Sequence, residues 1–305
     1  MKTLTLSFAV LILSLGTRAL AESLPLSDSL DLKGTQWAAS SQVSKKPKAV
    51  TASSTRNITL FEDSKTWLQF YTGYDYSFMA DFANGTDAWV NAARASGYLP
   101  TGGGNHSGLL ASTLLGFRLD SQDALALDLG SVLNFGNNWS ISQGGSTLSQ
   151  HLGAVLLSAS LDYIRDLAVT PTRRTYLTLG AGFYHAIADY NLQQDTSYIR
   201  SSFSGNILGV TLGVGNEFSL GNGFGLDISV LGRYANFARV SSDTLSTDLG
   251  TPNPGPYSLA IATSSSYQTI QASTNSFIDS NPSVARYASL DFSGIDAKVA
   301  LDFYF

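Results

Sequence analysis

Between Thr66 and the last residue, Phe305, apolar side chains recur at every second position in eight segments separated by polar stretches. A period of two marks strands with one apolar face. In the first segment Leu68, Phe70, Thr72, Tyr74 and Tyr76 share one face, and Gln69, Tyr71, Gly73, Asp75 and Ser77 the other. The second alternates Leu109, Ala111, Thr113, Leu115, Phe117 and Leu119 with Ser112, Gly116 and Arg118. The third sets Leu125, Leu127, Leu129, Leu133 and Phe135 against Ala126, Asp128, Gly130 and Asn134. The fourth sets Val155, Leu157, Ala159, Leu161 and Tyr163 against Ser158, Ser160 and Asp162. In the fifth, Leu177, Leu179, Ala181 and Phe183 oppose Thr178, Gly180 and Gly182. In the sixth, Leu208, Val210, Leu212, Val214 and Phe218 oppose Gly209, Thr211, Gly213, Gly215 and Glu217. The seventh has Phe224, Leu226, Ile228 and Val230 opposite Gly225, Asp227, Ser229 and Arg233. The eighth has Ile295, Ala297, Val299, Leu301, Phe303 and Phe305 opposite Asp296, Lys298, Ala300, Asp302 and Tyr304.

In a soluble sandwich, the competing fold, the apolar face would be buried and its opposite face charged. Here the opposite face is Gly, Ser and Ala with isolated charges. Small residues suit a narrow lumen that side chains must fill, and the apolar face suits lipid. The pattern predicts an all-β fold: a transmembrane antiparallel up-and-down β-barrel of eight strands. Ten is the alternative count, because residues 257–272 have the composition of a further hairpin. Three prolines (Pro252, Pro254 and Pro256) just before it favour a hairpin within a loop.

Connections alternate in length. Asp120 to Asp123 and Leu220-Gly221-Asn222-Gly223 are tight turns, the Asn-Gly pair favouring a type I′ turn, and Arg165 to Arg174 is somewhat longer. Residues 79–106, 136–147, 189–204 and 238–286 are long and polar, with a short helix expected at Trp89 to Ala95. Outer-membrane barrels have this asymmetry, with short periplasmic turns and long extracellular loops. Aromatic residues fall into two sets. Tyr74, Tyr76, Phe78, Phe135, Phe183, Tyr234 and Phe237 stand toward the long loops. Phe117, Tyr163, Tyr176, Phe218, Phe224, Phe303 and Phe305 stand toward the short turns. They are expected to form the two interfacial belts of a membrane protein.

The first residues read as an export signal: Lys2, an apolar stretch from Leu4 to Leu15, and a small-x-small site at Ala19-Leu20-Ala21. The domain plan is then a signal peptide over 1–21, a flexible periplasmic extension over 22–65, and the barrel over 66–305. The extension is rich in Ser, Lys and Thr, as in Ser44-Lys45-Lys46-Pro47-Lys48. Composition agrees with a barrel. Hydrophobic residues are 44% and charged residues only 13%, about half the usual charged share of roughly 25%. Outside the signal no stretch is long and apolar enough for a membrane helix. Losing Lys2 and Arg18 with the signal takes the formal charge from -5 to -7, which argues against nucleic acid as a partner. With no cysteine, disulfides and thiolate metal sites are excluded.

The closing segment carries a resemblance. Its alternation through Val299, Leu301, Phe303 and a terminal Phe305, with Leu290-Asp291-Phe292-Ser293-Gly294 before it, resembles the last strand of the OmpA-like β-barrel superfamily. The resemblance covers about 66–305. It implies a bacterial outer-membrane location among lipids and lipopolysaccharide, and recognition of Val299, Leu301, Phe303 and Phe305 by the barrel-assembly machinery. Members of this broad group serve as structural proteins, adhesins, small channels and occasional lipid enzymes, so the fold does not select a function. With Phe305 last, no peptidoglycan-tethering domain of the OmpA kind is expected after the barrel.

The inward charges are the most informative constellation: Arg118, Asp128, Asp162, Glu217, Asp227, Arg233, Asp296, Lys298 and Asp302. A charge in a confined lumen needs a partner or water. The set forms either a salt-bridged plug or a narrow pore with a cation bias, since acids outnumber bases. Of the three histidines, His151 and His185 are expected to face outward near the long-loop ends of strands four and five, within reach of head groups. Ser149, Ser158 and Asp189 lie near them in sequence, but the His-x-Ser-Asn run of lipid A deacylases is absent. The histidines lack zinc-ligand spacing. The run Gly102-Gly103-Gly104 is expected to be a flexible loop element, not a phosphate loop. No cofactor is expected. The leading expectation is a non-enzymatic structural or surface-interaction protein acting through long extracellular loops. A narrow channel for ions or small solutes is the alternative, and a lipid-modifying enzyme the third.

Overall fold

The computed structural model describes residues 64–250, 252, 254–263 and 268–305. The signal peptide and all but the last two residues of the N-terminal extension lie outside the described residues. No helix among the described residues is long and apolar enough to cross a membrane.

Eight antiparallel strands form a closed ring: β1 (Thr66–Ser77), β2 (Ser107–Arg118), β3 (Asp123–Gln143), β4 (Ser146–Val169), β5 (Arg173–Gln194), β6 (Ser197–Gly221), β7 (Phe224–Tyr234) and β8 (Gly294–Tyr304). Each pairs with its neighbours in sequence, and β8 returns to β1, with Phe303 opposite Leu68 and Ile295 opposite Tyr76. Closure leaves no strand edge in the ring, so its backbone polar groups pair across the ladders without needing water, apart from the bulges at Asn134/Asn137, Asp166/Ala168 and Ser219/Gly221.

The faces follow the alternation. Leu109, Leu129, Leu161, Leu179, Leu212, Val230 and Val299 stand exposed on the outside. Exposed apolar surface on this scale would drive association in water, whereas a bilayer solvates it. Tyr74, Tyr76, Phe78, Phe135, Phe183 and Tyr234 are exposed toward one end, and Phe117, Tyr163, Phe218, Phe224 and Phe305 toward the other. Two aromatics depart from the expected belts. Tyr176 points inward, because its neighbours Leu177 and Leu179 hold the outer positions. Phe237 is buried against Phe292, ring centroids 6.3 Å apart, because the chain leaves the barrel wall after Tyr234.

At one end the connections are tight. Asp120 accepts hydrogen bonds from the backbone N–H groups of Gln122 and Asp123, both at 2.8 Å. Asn222 and Gly223 have φ of 54° and 85°, the positive values of a type I′ turn. The connection expected over Arg165 to Arg174 shrinks to residues 170–172, because β4 continues through a bulge between Asp166 and Ala168.

At the other end the structure corrects the expected loops. Residues 136–147 and 189–204 are mainly strand. Polar side chains do not interrupt a ladder whose backbone groups remain paired. Gly144-Gly145 and Asp195-Thr196 close the two long hairpins, with Gln143 opposite Ser146 and Gln194 opposite Ser197. Gly144, Gly145 and Asp195 all have positive φ. The first connection holds α1 (Ala80–Ala95), longer than the helix expected at Trp89 to Ala95. Its alanines favour helix throughout, and Phe82, Thr86, Val90 and Ala93 recur at helical spacing on its buried face. The last connection holds the expected hairpin, Tyr257–Thr263 with Gln268–Thr274, outside the ring of eight.

Candidate functional site

The structure places all nine charges of the expected network on the inner face. It brings them together in three tiers and adds Asp75, Asp166 and Arg174. Nearest the short turns, Asp166 accepts from Arg118 Nη1 at 2.9 Å and from Arg174 Nε at 2.6 Å. Arg174 Nη1 reaches Glu217 Oε2 at 3.2 Å. The Arg174 guanidinium lies over the rings of Trp67 and Tyr176, 5.2 and 5.1 Å from their centroids. Tyr304 donates its hydroxyl to Glu217, and Tyr176 donates to Asp227 at 2.9 Å. Asp302 is fully buried against Glu217, and no basic, hydroxyl or amide donor reaches its carboxylate oxygens.

In the middle tier Asp128 accepts from the Tyr71 and Ser112 hydroxyls. Lys298 Nζ sits 3.9 Å from Asp128 Oδ2 and 4.0 Å from the Tyr71 ring centroid. Asp162 accepts from Ser160 at 3.1 Å. Toward the long connections, Arg233 donates to Asp296 at 2.7 Å, to Asp75 at 2.5 Å and to the Phe292 carbonyl at 3.0 Å.

Little space remains. The cavity between Trp67, Tyr71, Asp128, Asp162, Arg174 and Lys298 measures about 30 Å³, room for about two waters. Glycines let the bulky lining fit. A Cβ on Gly116 would lie 2.2 Å from the Trp67 ring, and one on Gly215 would lie 2.3 Å from the Tyr176 ring.

A second layer closes the wide end. Met79, Phe82, Phe203, Leu259, Ile261 and Phe292 form an apolar core between α1, the long hairpins and the 257–274 hairpin. Asp81 of α1 pins this cap. It accepts from both Arg286 nitrogens at 2.6 and 2.8 Å, and from the Ser289 backbone N–H and hydroxyl, each at 2.8 Å. Burial pushes the Asp81 carboxyl up, but the bonds from Arg286 and Ser289 outweigh it and hold it below its ordinary range. Gly102-Gly103-Gly104 is not a free loop. Thr101–Gly103 pairs with residues 138–140, and a Cβ on Gly104 would lie 2.3 Å from the Ala83 carbonyl oxygen. Gly103 and Gly104 lie against α1, whereas Gly102 has a φ of 89° and a Cβ there would lie 2.1 Å from the Asn138 carbonyl oxygen.

His151 and His185 face outward. Their Nδ1 atoms meet the amide oxygens of Asn138 and Asn206, the latter at 2.7 Å, and His106 Nδ1 meets the Ser77 carbonyl at 3.2 Å. Ser158 points into the lumen, away from the histidines on the outer face. Among the described residues no group of three or more His, Cys, Asp or Glu side chains is arranged to hold a metal ion.

Fold and lumen together define an eight-stranded membrane β-barrel whose interior is filled by ion-paired side chains. No protein-family model and no curated protein matches the sequence. Among solved structures the chain is similar to Neisserial surface protein A, with 11% identity, 79% of this chain and 97% of that chain covered, and a TM-score of 0.36. A major outer membrane protein from Thermus thermophilus is similar at 12% identity, covering 79% of this chain and 99% of that chain, with a TM-score of 0.41. The outer membrane protein AlkL in DMPC lipid bilayers is similar at 10% identity, covering 90% of this chain and 97% of that chain, with a TM-score of 0.30. At these identities no activity passes from those proteins to this chain.

Proposed function

We propose that the chain is a closed bacterial outer-membrane barrel with a structural or surface-interaction role, acting through the capped end of its long connections. In this reading the short turns face the periplasm and the cap faces outward among lipid and lipopolysaccharide. Val299, Leu301, Phe303 and Phe305 are the strand that the assembly machinery reads. The observation that carries the reading is the filled lumen: three tiers of paired charges around a cavity of about 30 Å³. A hydrated ion needs a continuous water path, and paired side chains held by packing do not supply one.

The excess of acids over bases in the lumen supports one second reading, a narrow cation pathway opened by rearrangement of the pairs. Conductance of the refolded protein in a planar bilayer separates the two. The plug reading expects a folded, silent barrel. Reproducible openings with cation preference, reduced by Asp162→Asn and Glu217→Gln, would replace it with the channel.

A further inference from the structure

All three histidines of the chain stand at the capped end, on or beside the lipid-side face. His106 stacks on Tyr76 of the aromatic belt, ring centroids 5.4 Å apart. His185 lies two residues beyond Phe183 of the same belt, on the same face of β5. His151 lies farther out on β4, opposite Asn138 on one side and Asn191 on the other. In each ring Nδ1 meets an oxygen, and Nε2 has no protein partner among the described residues. The Ser77 carbonyl only accepts, so His106 Nδ1 is the donor in that pair. His106 Nε2 is then an acceptor in the neutral ring and becomes a donor only when the ring takes up a proton.

The only lysine between Thr66 and Phe305 is Lys298, inside the lumen. The charged groups on the adjoining elements are Asp87, which accepts the Gly104 backbone N–H at 2.7 Å two residues before His106, and Asp189 and Arg200. Asp189 is opposite Gly153 and on the same β5 face as His185. Arg200 is opposite Asn191 and donates to it at 3.0 Å. Tyr76, Asn138 and Asn206 are the other groups against the rings.

We propose that His106, His151 and His185 form a recognition site for anionic lipid headgroups, with Nε2 donating to headgroup phosphate when the rings are protonated. Imidazole is the side chain whose charge ordinarily changes between pH 5 and 8. Protonation at the interface turns three neutral acceptors into three cationic donors beside the phosphate layer. The site does not depend on whether the lumen conducts.

The test compares the full barrel in phosphatidylglycerol and phosphatidylcholine nanodiscs, by thermal unfolding at pH 5 and pH 8. The expected result is a gain of several degrees at pH 5 in phosphatidylglycerol beyond the change in phosphatidylcholine. That gain is lost in the His106→Gln, His151→Gln, His185→Gln triple variant. A triple variant that keeps the gain, or a wild-type protein without one, overturns the proposal. Inorganic phosphate added to phosphatidylcholine discs should give no comparable gain, and an equal gain would overturn the commitment to lipid. Should the triple variant not fold, the imidazole ¹⁵N signals of the wild-type protein decide. They should differ between the two lipids at pH 5, and identical signals count against the site.

Discussion

Asp75 of β1 and Asp296 of β8 stand directly opposite each other at the seam where the barrel closes, and Arg233 of β7 binds both. Two carboxylates facing across a ladder repel, so the arginine is what makes this register tolerable. Arg233→Ala should destabilise the barrel by about 3–5 kcal/mol, the usual effect of stranding buried charge. Adding Asp75→Asn and Asp296→Asn to Arg233→Met should recover most of the loss. Urea unfolding in lipid vesicles, followed by tryptophan fluorescence, reads both changes. Equal stability of Arg233→Ala and wild type would show that the three charges are hydrated and not a closed unit.

The tier near the short turns predicts an asymmetry between two neighbours. Arg174 serves Asp166 and Glu217 and lies over two rings, so Arg174→Ala should cost about 3–5 kcal/mol. Asp302 receives no basic, hydroxyl or amide donor and lies against Glu217. Asp302→Asn replaces a carboxyl with an amide able to donate toward that glutamate. It should change stability by less than about 1 kcal/mol, or raise it. The same unfolding experiment ranks the two. A larger loss from Asp302→Asn than from Arg174→Ala would overturn this account of the tier.

What was legible in the sequence was whatever depends on alternation alone. Leu129 outside and Asp128 inside follow from a period of two, and so do Phe303 outside and Tyr304 inside. Asp166 is in phase with Asp162, and Arg174 with Thr178, but both fall in the polar stretch from Arg165 to Arg174 that reads as a connection, so the alternation was not carried into it. Asp75 lay on the inner face by the same alternation, yet its role appears only when β8 closes on β1 and brings Arg233 across. The long hairpins were missed because their outer face turns polar, with Asn138, Ser140, His151 and Asn191, so the inward Trp139, Tyr190 and Phe203 stand as isolated apolar residues in polar stretches, while the backbone ladder leaves no trace in composition. Phe237 and Phe292 join a cap core assembled from distant connections, which no local pattern announces.

The cap should loosen in acid through Asp81. Its folded carboxyl lies below its ordinary range, so the unfolded cap binds this proton more readily. The stabilising contribution is therefore present above the unfolded value, about 4, and is lost as pH falls through the folded one. Asp81→Asn should speed hydrogen exchange over residues 80–95 at pH 7, and the difference from wild type should shrink at acid pH. A difference that stays constant with pH would mean that packing, and not the carboxylate, holds the helix.

Phe305 is exposed, and its backbone is tied to Thr66, which accepts its N–H at 3.1 Å and donates a hydroxyl to its carbonyl at 3.0 Å. Its ring adds little to the folded barrel, so deleting it should leave the stability of refolded protein nearly unchanged. In cells the same deletion should lower outer-membrane assembly and leave more protein in the periplasm, because the proposed signal is read before folding. Normal assembly of the truncated chain would remove the case for a C-terminal signal.

Trp67 offers the sharpest test of the closed lumen. Its ring is buried beneath Arg174, near Tyr304 and against Gly116. Trp67→Ala removes the largest apolar body from the tier and leaves a cavity joined to the existing one, which costs about 3–5 kcal/mol. Polar groups line that space, so water should enter it, and the barrel, which the plug reading expects to be silent, should show brief openings in a planar bilayer. Gly116→Ala acts in the opposite sense, because its Cβ would lie 2.2 Å from the indole. Alone it should destabilise the barrel by overpacking, by about 1–3 kcal/mol. Combined with Trp67→Ala the added methyl has room, so the double variant should be more stable than the sum of the two losses. Strict additivity would show that the ring and the glycine are not in contact. A silent Trp67→Ala barrel would show that the ion pairs alone seal the lumen.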